Sequence, residues 1–370
     1  MKQLLVAISV AVSASVAAQQ PAPTVVKWDA LLTQPSAWYG TPEATRVADN
    51  LLLYQRGTGG WPKNADMTAV LTPADRERLA SEKSRTDSTI DNGATTTEIQ
   101  ALARVFDATR VSRFRDGAIA GIDWLLRAQY PNGGWPQYFP LRDDYSRHIT
   151  FNDDAIARVL TMLREVGDGR GPYEFVDADT RRRVRAATAR GLEIILNTQI
   201  TVKGQLTVWC AQHDATTLAP ALARTYELPS FSGSESVKIV RYLMSLPDSP
   251  PRVVAAVESA VAWLRAHALH GIRVERRPDT ATPRGYDLFV VDDPAAPPLW
   301  ARFYDLETAK PIFVGRDGIK REKLSDIEYE RRTGYSYLGP YATSVLETEY
   351  PAWRKTRVNS GSPPGASPRP

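Results

Sequence analysis

A tryptophan turn, Gly59-Gly60-Trp61-Pro62-Lys63-Asn64, recurs along the chain as Gly133-Gly134-Trp135-Pro136-Gln137-Tyr138. A more degenerate third copy has its tryptophan at Trp209, so that three successive tryptophans stand 74 residues apart. A fourth, partial copy is expected to begin at Val261-Ala262-Trp263-Leu264. Each of the first three turns follows an apolar run of helical type that ends in glutamine. A fixed period with one supersecondary unit per repeat is typical of repeat architectures.

Each repeat reads as a helix, a tryptophan turn and a second helix, so the units are expected to stack as helical hairpins. Because there are only three or four units, a toroid is favoured over a long solenoid. We therefore predict a fold dominated by α-helix, an incomplete (α/α) toroid. Such a ring places its equivalent turns at one end.

Acidic turns lead directly into several of the helical patterns. The first is Thr89-Ile90-Asp91-Asn92-Gly93, the second is Phe151-Asn152-Asp153-Asp154, and His213-Asp214 begins a third. Any one aspartate here can also be an ordinary helix cap, since its oxygens accept hydrogen bonds from the first free amides. In a ring of hairpins, however, Asp91, Asp153 and Asp154 would converge at one end. Their carboxylates are hard oxygen ligands of the kind that Ca²⁺ takes.

The amino terminus has a charged start, a short apolar run and small residues, which predicts a secretory signal over residues 1–18. No later run reaches the roughly 18 apolar residues of a spanning helix. Removing Lys2 with the signal lowers the formal net charge from +4 to +3, a modest excess that does not imply nucleic acid and that suits an acidic polymer. The single cysteine, Cys210, allows no internal disulfide. We expect a secreted or periplasmic monomer with neither a membrane nor a nucleic-acid partner.

Helical patterns are expected over residues 43–55, 91–106, 115–129, 152–166, 180–199, 214–226, 232–246 and 252–270, with a charged surface excursion at 71–85. After Gly271, frequent prolines exclude a long helix, and residues 286–291 and 311–314 look extended. We therefore predict a lead-in over 19–42 and one catalytic domain over 43–355. Its irregular, partly extended cap spans about 271–335, and a disordered tail spans 356–370.

Arginines and tryptophans supply further candidate site residues. Arg302 and Arg316 lie in the predicted cap, and arginine makes planar, two-pronged contacts with carboxylates. Arg224, near the end of the helix expected from Asp214, is a third candidate, although a solvated arginine is common at a helix end. Trp135 is a candidate for stacking on a sugar, but a repeated tryptophan is also a common packing residue.

The chain resembles the pectate lyases of polysaccharide lyase family 10 over roughly residues 43–350. The resemblance rests on the two tryptophan turns and the two acidic turns quoted above. It also rests on four further stretches, which are Trp209-Cys210-Ala211-Gln212-His213-Asp214, Ala223-Arg224-Thr225-Tyr226-Glu227-Leu228-Pro229-Ser230, Arg302-Phe303-Tyr304-Asp305 and Gly315-Arg316-Asp317-Gly318.

The resemblance implies Ca²⁺-dependent β-elimination of polygalacturonate on an (α/α) toroid. Carried over by position, Asp91 and Asp153 look like the calcium ligands, with Asp154 beside them. Arg224 looks like the catalytic base, with Arg316 as the second choice, and Arg302 and Arg316 look like clamps on uronate carboxylates. We place Lys63, Asn92 and Trp135 with them as substrate-binding residues.

Two other classes of function remain open from the residues alone. A glycoside hydrolase would use two of Asp91, Asp153, Asp154 and Asp214 as acid and base, and its products would carry no double bond. A pectin-binding protein would use the same cleft without creating new reducing ends. The presence of both aspartates and all three arginines favours the lyase.

Overall fold

The computed structural model describes residues 26–360. The predicted signal, residues 19–25 and residues 361–370 of the predicted tail lie outside the described residues. The α-helices are α1 Pro42–Tyr54, α2 Pro73–Ser81, α3 Thr96–Thr109, α4 Ser112–Ala128, α5 Ala155–Asp168, α6 Ala178–Thr198, α7 Glu235–Met244, α8 Pro251–Ala266, α9 Tyr329–Gly334 and α10 Tyr350–Ser360.

The strands are short and pair in antiparallel twos. The pairs are β1 Ile149–Thr150 with β4 Gln212–His213, β2 Thr201–Val202 with β3 Gln205–Leu206, β5 Phe231–Ser232 with β9 Phe303–Tyr304, β6 Ile272–Pro278 with β7 Tyr286–Asp292, β8 Trp300–Ala301 with β12 Leu338–Gly339, and β10 Phe313–Val314 with β11 Lys320–Arg321. Among the described residues, no helix is both long enough and apolar enough to cross a membrane.

The helices form two packed rows, as the repeat predicts. One row runs α1, α4, α6, α8, and each of its members precedes a tryptophan turn; the other runs α3, α5, α7. The recurring glutamine ties successive helices of the first row together. Gln55 donates to Gly117 O in α4, Gln129 donates to Ala187 O in α6, and Gln199 donates to the α8 carbonyl of Ala256, at 2.9, 2.9 and 3.0 Å. The predicted toroid of stacked hairpins is therefore confirmed.

The tryptophans make the same hydrogen bond in every repeat. The indole Nε1 of Trp61 donates to Leu51 O at 2.7 Å, that of Trp135 to Leu125 O at 2.9 Å, and that of Trp209 to Ile195 O at 2.7 Å. In the fourth repeat the donor is Trp300, which reaches Leu264 O at 2.8 Å. Trp263 therefore lies in α8, the helix of the fourth repeat, and the turn tryptophan of that repeat is Trp300, further along the chain.

The glycine before each Gly-Trp pair is required by close packing. Gly59 and Gly133 have φ values of +102° and +98°, which side chains rarely adopt. A Cβ on Gly133 would also collide with the carbonyl oxygen of Arg190 in α6, and one on Gly59 would collide with that of Ala120 in α4. The turn can thus lie directly against the neighbouring helix of its row.

The helix predicted over residues 214–226 is wrong. Asp214 Oδ1 accepts hydrogen bonds from the backbone N–H groups of Thr216 and Thr217, which closes a local turn instead of capping a helix. Leu218 then takes a positive φ of 62°, and Pro220 forms a bridge with His213. The third repeat instead begins its second helix at α7, after a turn at residues 233–234.

The carboxyl-terminal part is the irregular cap that the prolines predict. Its most regular unit is the β6–β7 hairpin, and a separate apolar cluster around Tyr226, Phe303, Phe313 and Tyr337 joins the cap to the ring. The predicted tail needs a correction, because α10 continues to Ser360 and so includes residues 356–360.

Candidate active site

The two acidic turns meet at one end of the ring. Asp91–Gly93 and Asn152–Asp154 each form a single 3₁₀ turn, and the two turns pack against each other. They share an unusual backbone, since Asn92 and Asp153 have φ values of 53° and 48°. Asn92 is exposed and donates to Asn64 Oδ1 at 2.8 Å. The sequence therefore brings Asp91 and Asp153 to the same place, as predicted.

Asp91 is buried and forms an ion pair with Lys63. Burial alone lowers the pKa of Lys63, but its hydrogen bond to Asp91 and the charge of that carboxylate raise it more, so the ammonium stays charged. The other oxygen of Asp91, Oδ1, is buried without a hydrogen-bond partner. A buried carboxylate oxygen of this kind is able to accept a cationic ligand.

Asp153 belongs to a second ion-pair cluster, whose centre is Arg302. A terminal nitrogen of Arg302 donates to Asp153 Oδ1 and Asn152 Oδ1, both at 3.1 Å, and forms an ion pair with Glu235. Burial lowers the pKa of Arg302, but the negative charges of Glu235 and Asp153 outweigh it and raise that pKa well above its ordinary value. Arg302 therefore provides a fixed positive charge beside Asp153.

Asp154 faces other partners than its neighbour Asp153. Its Oδ2 lies 3.1 Å from Lys238 Nζ on α7 and 3.9 Å from a terminal nitrogen of Arg158 on α5. In the part of the chain that the structure describes, no three His, Cys, Asp or Glu side chains form a ready-made metal site. Of the three predicted aspartates, Asp91 and Asp153 lie on the two adjoining turns, whereas Asp154 pairs with cations of α5 and α7, and its role as a metal ligand stays a prediction.

Arg224 lies in a loop and forms a two-pronged ion pair with the buried Glu227. Its Nε donates to Glu227 Oε2 at 2.7 Å and a terminal nitrogen donates to Oε1 at 2.5 Å. Burial lowers the pKa of Arg224, but the hydrogen bonds and charge of Glu227 raise it further than burial lowers it. Tyr335 also donates to Glu227 Oε1, at 2.7 Å.

Tyr145 shows that the two halves of the site adjoin. Burial raises the pKa of its hydroxyl, and the charges of Arg224, Glu227, Lys63 and Asp91 all act on it. The Arg224 pair and the Lys63 pair are therefore both near enough to act on the same tyrosine.

Arg316 is the most accessible of the three candidate arginines, with 62% of its side chain exposed. It donates to both oxygens of Glu330 at 3.0 Å, and Arg331 shares the same carboxylate. These contacts, that of Arg331 first, lower the pKa of Glu330 to about 2. The hydrogen bond and charge of Glu330 raise the pKa of Arg316 more than the charge of Arg331 lowers it.

Trp135 does not serve as a stacking platform in this structure. Its side chain is fully buried and its indole nitrogen is bonded to α4. The packing role, which the sequence left open, is the one observed.

Four site residues were missed by sequence reasoning: Asn152, Glu227, Glu235 and Tyr335. Glu227 stands three residues after Arg224, a spacing that could have indicated the pair. Glu235 and Tyr335 gave no comparable signal, because their partners Arg302 and Glu227 are 67 and 108 residues away.

The family model for pectic acid lyases matches residues 55–346. This chain belongs to the pectic acid lyase family. The lyase is similar to a family 10 polysaccharide lyase from Cellvibrio cellulosa, at 34% identity and a TM-score of 0.72, over 89% of this chain and 99% of that one. It is also similar to a mutant of a family 10 polysaccharide lyase from that organism in complex with trigalacturonic acid, at 35% identity and a TM-score of 0.73, over 87% and 98% of the two chains. No curated protein gave a significant match.

The family confirms three expectations from the sequence: the resemblance itself, the helical toroid and the class of enzyme, a pectate lyase. A glycoside hydrolase and a binding protein without catalysis are therefore set aside. The lyase keeps its acidic turns and its arginines at one end of the ring, where an anionic chain can meet both.

Proposed function

We propose that this chain cleaves polygalacturonate by calcium-dependent β-elimination. The observation that carries the proposal is the convergence of Asp91 and Asp153 with the fixed cations Lys63, Arg302 and Arg224 at one end of the toroid. Such a site suits a polymer with one carboxylate on every sugar. The neighbouring structure with trigalacturonic acid supports the choice of polymer.

Elimination requires removal of the proton at C5, the carbon beside the uronate carboxylate. The electrons of that bond move into the carboxylate, which becomes enolate-like, and the 4-linked oxygen leaves as a double bond forms. A guanidinium held in place before the reaction stabilises this developing charge without reorganisation. Arg302 meets that condition, because Glu235 and Asp153 keep it charged and oriented.

The residues present fit a calcium ion in part. Asp91 Oδ1 is buried without a partner and Asp153 lies on the adjoining turn, so these two carboxylates would hold the ion. Ca²⁺ takes six to eight oxygens, and the missing ones would come from water and uronate carboxylates. Bound there, the ion would withdraw charge from the substrate carboxylate.

We assign the base to Arg316 and a clamping role to Arg224. A base must lose its proton, and Arg224 is held in the charged form by a buried carboxylate that also accepts a hydrogen bond from Tyr335. The Arg316 guanidinium is more exposed, and the carboxylate that it binds, Glu330, is itself exposed and shared with Arg331.

The central test follows ultraviolet absorbance of unsaturated product from polygalacturonate, with calcium and then with excess chelator. Arg316→Lys should lower kcat by about 100-fold or more, the range for loss of an acid–base group. Arg224→Lys should mainly raise KM, because it weakens a clamp. Arg321→Ala, on the strand β11 that follows the Arg316 turn and paired with Asp317, is the matched control and should change neither. Full turnover by Arg316→Ala with loss in Arg224→Ala would return the base to Arg224.

Calcium binding is tested separately by titration calorimetry. Asp153→Asn should abolish the calorimetric signal, while Asp154→Asn should keep it, since Asp154 faces Lys238. Equal loss in both variants would contradict the two-carboxylate site.

Export and monomeric state are proposed from the sequence. Amino-terminal sequencing of the protein recovered outside the cytoplasm should begin after Ala18, and light scattering should give the mass of one chain. Retention of residues 1–18, or a mass of two chains, would contradict these expectations.

A further inference from the structure

The ring of Tyr335 lies close to two guanidinium groups that the proposed function assigns to substrate carboxylates. Its ring centroid is 4.6 Å from Cζ of Arg302 and 5.8 Å from Cζ of Arg224. Its hydroxyl donates to Glu227, which grips Arg224. Tyr335 thus contacts Arg302 directly and reaches Arg224 through Glu227, although the two arginines come from distant parts of the chain.

The hydroxyl completes the hold on Arg224. Glu227 is 6% exposed and accepts from Nε, a terminal nitrogen and the backbone N–H of Arg224, as well as from Tyr335. Burial raises the pKa of Glu227, but Arg224 and Tyr335 together lower it, so the carboxylate remains charged. Without the hydroxyl, one oxygen of this buried carboxylate loses a donor and the arginine loses a fixed anchor.

The ring stands beside the other clamp. Arg302 and Arg224 are both positive and would repel each other across a short gap, whereas the negative face of an aromatic ring attracts a cation within about 6 Å. The ring of Phe303 stacks on that of Tyr335 with centroids 6.0 Å apart, and Tyr226 meets it edge-on at 5.8 Å. These contacts fix the tyrosine, and through it they fix the spacing of the two cations.

We propose that Tyr335 is a positioning residue that sets the distance between Arg224 and Arg302 to match two carboxylates of one polyuronate chain. The inference rests on the proposed function for its ligand. A 4-linked polyuronate carries its carboxylates at a fixed repeat, so two rigid clamps bind well only at the matching separation. Tyr335 does not touch the reacting atoms and acts through Glu227 and Arg302.

The experiment measures the affinity of the full chain for trigalacturonate by calorimetry, with and without calcium, together with KM and kcat on polygalacturonate. Tyr335→Phe removes only the hydroxyl and should weaken binding and raise KM by about tenfold, the loss of one hydrogen bond to a charged group. The value of kcat should change by less than about threefold, because the lost hydroxyl acts through Glu227 on Arg224, a clamp that binds substrate and transition state alike. Glu227→Gln should give a similar loss, and the double variant should lose no more than either single variant.

Tyr337→Phe is the matched control for a merely structural effect. Tyr337 belongs to the same aromatic cluster, but its hydroxyl donates to the backbone oxygen of Val314. Its loss should lower Tm about as much as Tyr335→Phe does while leaving the affinity and KM unchanged. Unchanged affinity in Tyr335→Phe, an equal loss in Tyr337→Phe, or multiplied losses in the double variant would overturn the inference.

The outcomes separate this inference from the proposed function. If the wild type binds trigalacturonate but releases no unsaturated product, β-elimination fails and the affinity series still decides the role of Tyr335. If the wild type releases the product and Tyr335→Phe binds as tightly as the wild type, only the inference fails. If the wild type does not bind trigalacturonate at all, both fail.

Discussion

Glu98 is expected to make the lyase less stable as the pH rises. It lies in the first turn of α3, is completely buried, and has an oxygen, Oε2, without a hydrogen-bond partner. Burial raises the pKa of Glu98 from 4.5 to about 8, against a smaller lowering by the backbone N–H groups of Glu98 and Thr95. The folded protein therefore holds a neutral glutamic acid at a pH where the unfolded chain has released that proton.

The sign and size follow from proton linkage. Below the unfolded pKa of 4.5 both states are protonated, so Glu98 costs nothing. As the pH rises from 4.5 to about 8, the unfolded chain gains the free energy of ionisation and the folded state does not. At about 1.4 kcal/mol per pH unit, the cost is about 3 kcal/mol at neutral pH and at most about 5 kcal/mol above the folded pKa.

Glu98→Gln removes this cost, because glutamine keeps the shape and stays neutral. Urea unfolding at a series of pH values should give similar free energies of unfolding for variant and wild type at about pH 4. As the pH rises to about 8, the free energy of unfolding of the variant should increasingly exceed that of the wild type. Glu77→Gln, exposed on α2, controls for the change in net charge and should follow the wild-type curve. Parallel curves for Glu98→Gln and the wild type would refute the reasoning.

Three further predictions concern stability. Burial lowers the pKa of His213 from 6.5 to about 4. The folded protein is therefore stabilised fully above pH 6.5, and about 3 kcal/mol of that stability is lost as the pH falls toward 4. His213→Gln should reduce this loss of stability at acid pH in urea unfolding, and an unchanged loss would contradict the prediction. Trp135→Phe should lower the free energy of unfolding by about 2 to 3 kcal/mol, through a lost hydrogen bond and a new cavity, and should leave KM unchanged. A raised KM with unchanged stability would instead support the role of Trp135 in stacking on a sugar. Gly133→Ala should lower the stability by about 3 kcal/mol. Its control Gly204→Ala, at φ +80° with no neighbouring atoms around the added Cβ, should lower it by about 1 kcal/mol. Equal losses in thermal unfolding would show that the contact with Arg190 is unimportant.

Much of the ring could be predicted because its repeats are held by local, chemically specific contacts. The glutamine that ends each run bonds the next helix of its row, and the tryptophan bonds a carbonyl 10 to 14 residues before it in the first three repeats. Both interactions need one residue type at one position, so they leave a readable period in the sequence. The meeting of Asp91 with Asp153 followed from that period.

The third and fourth repeats could not be predicted in detail, because local signals there compete with distant ones. Asp214 precedes an apolar pattern and looks like a cap, but Pro220 and a bridge to His213 draw the segment into extended structure. The partners of Arg302 come from α7 and from the acidic turn of the second repeat. Such pairings depend on how the rows stack, and no short stretch of sequence contains them.

In the fourth repeat, the β6–β7 hairpin is inserted between the helix α8 and its tryptophan, Trp300. Trp300 is 36 residues from the carbonyl that it binds, yet its hydrogen bond is the same as in the other repeats. Two hydrogen bonds between Leu269 and Leu299, at 2.8 and 3.0 Å, close the base of the inserted segment. The hairpin is therefore an insertion with a closed base, and a designer could exchange it for a short linker or another loop while the helices of the ring keep their packing.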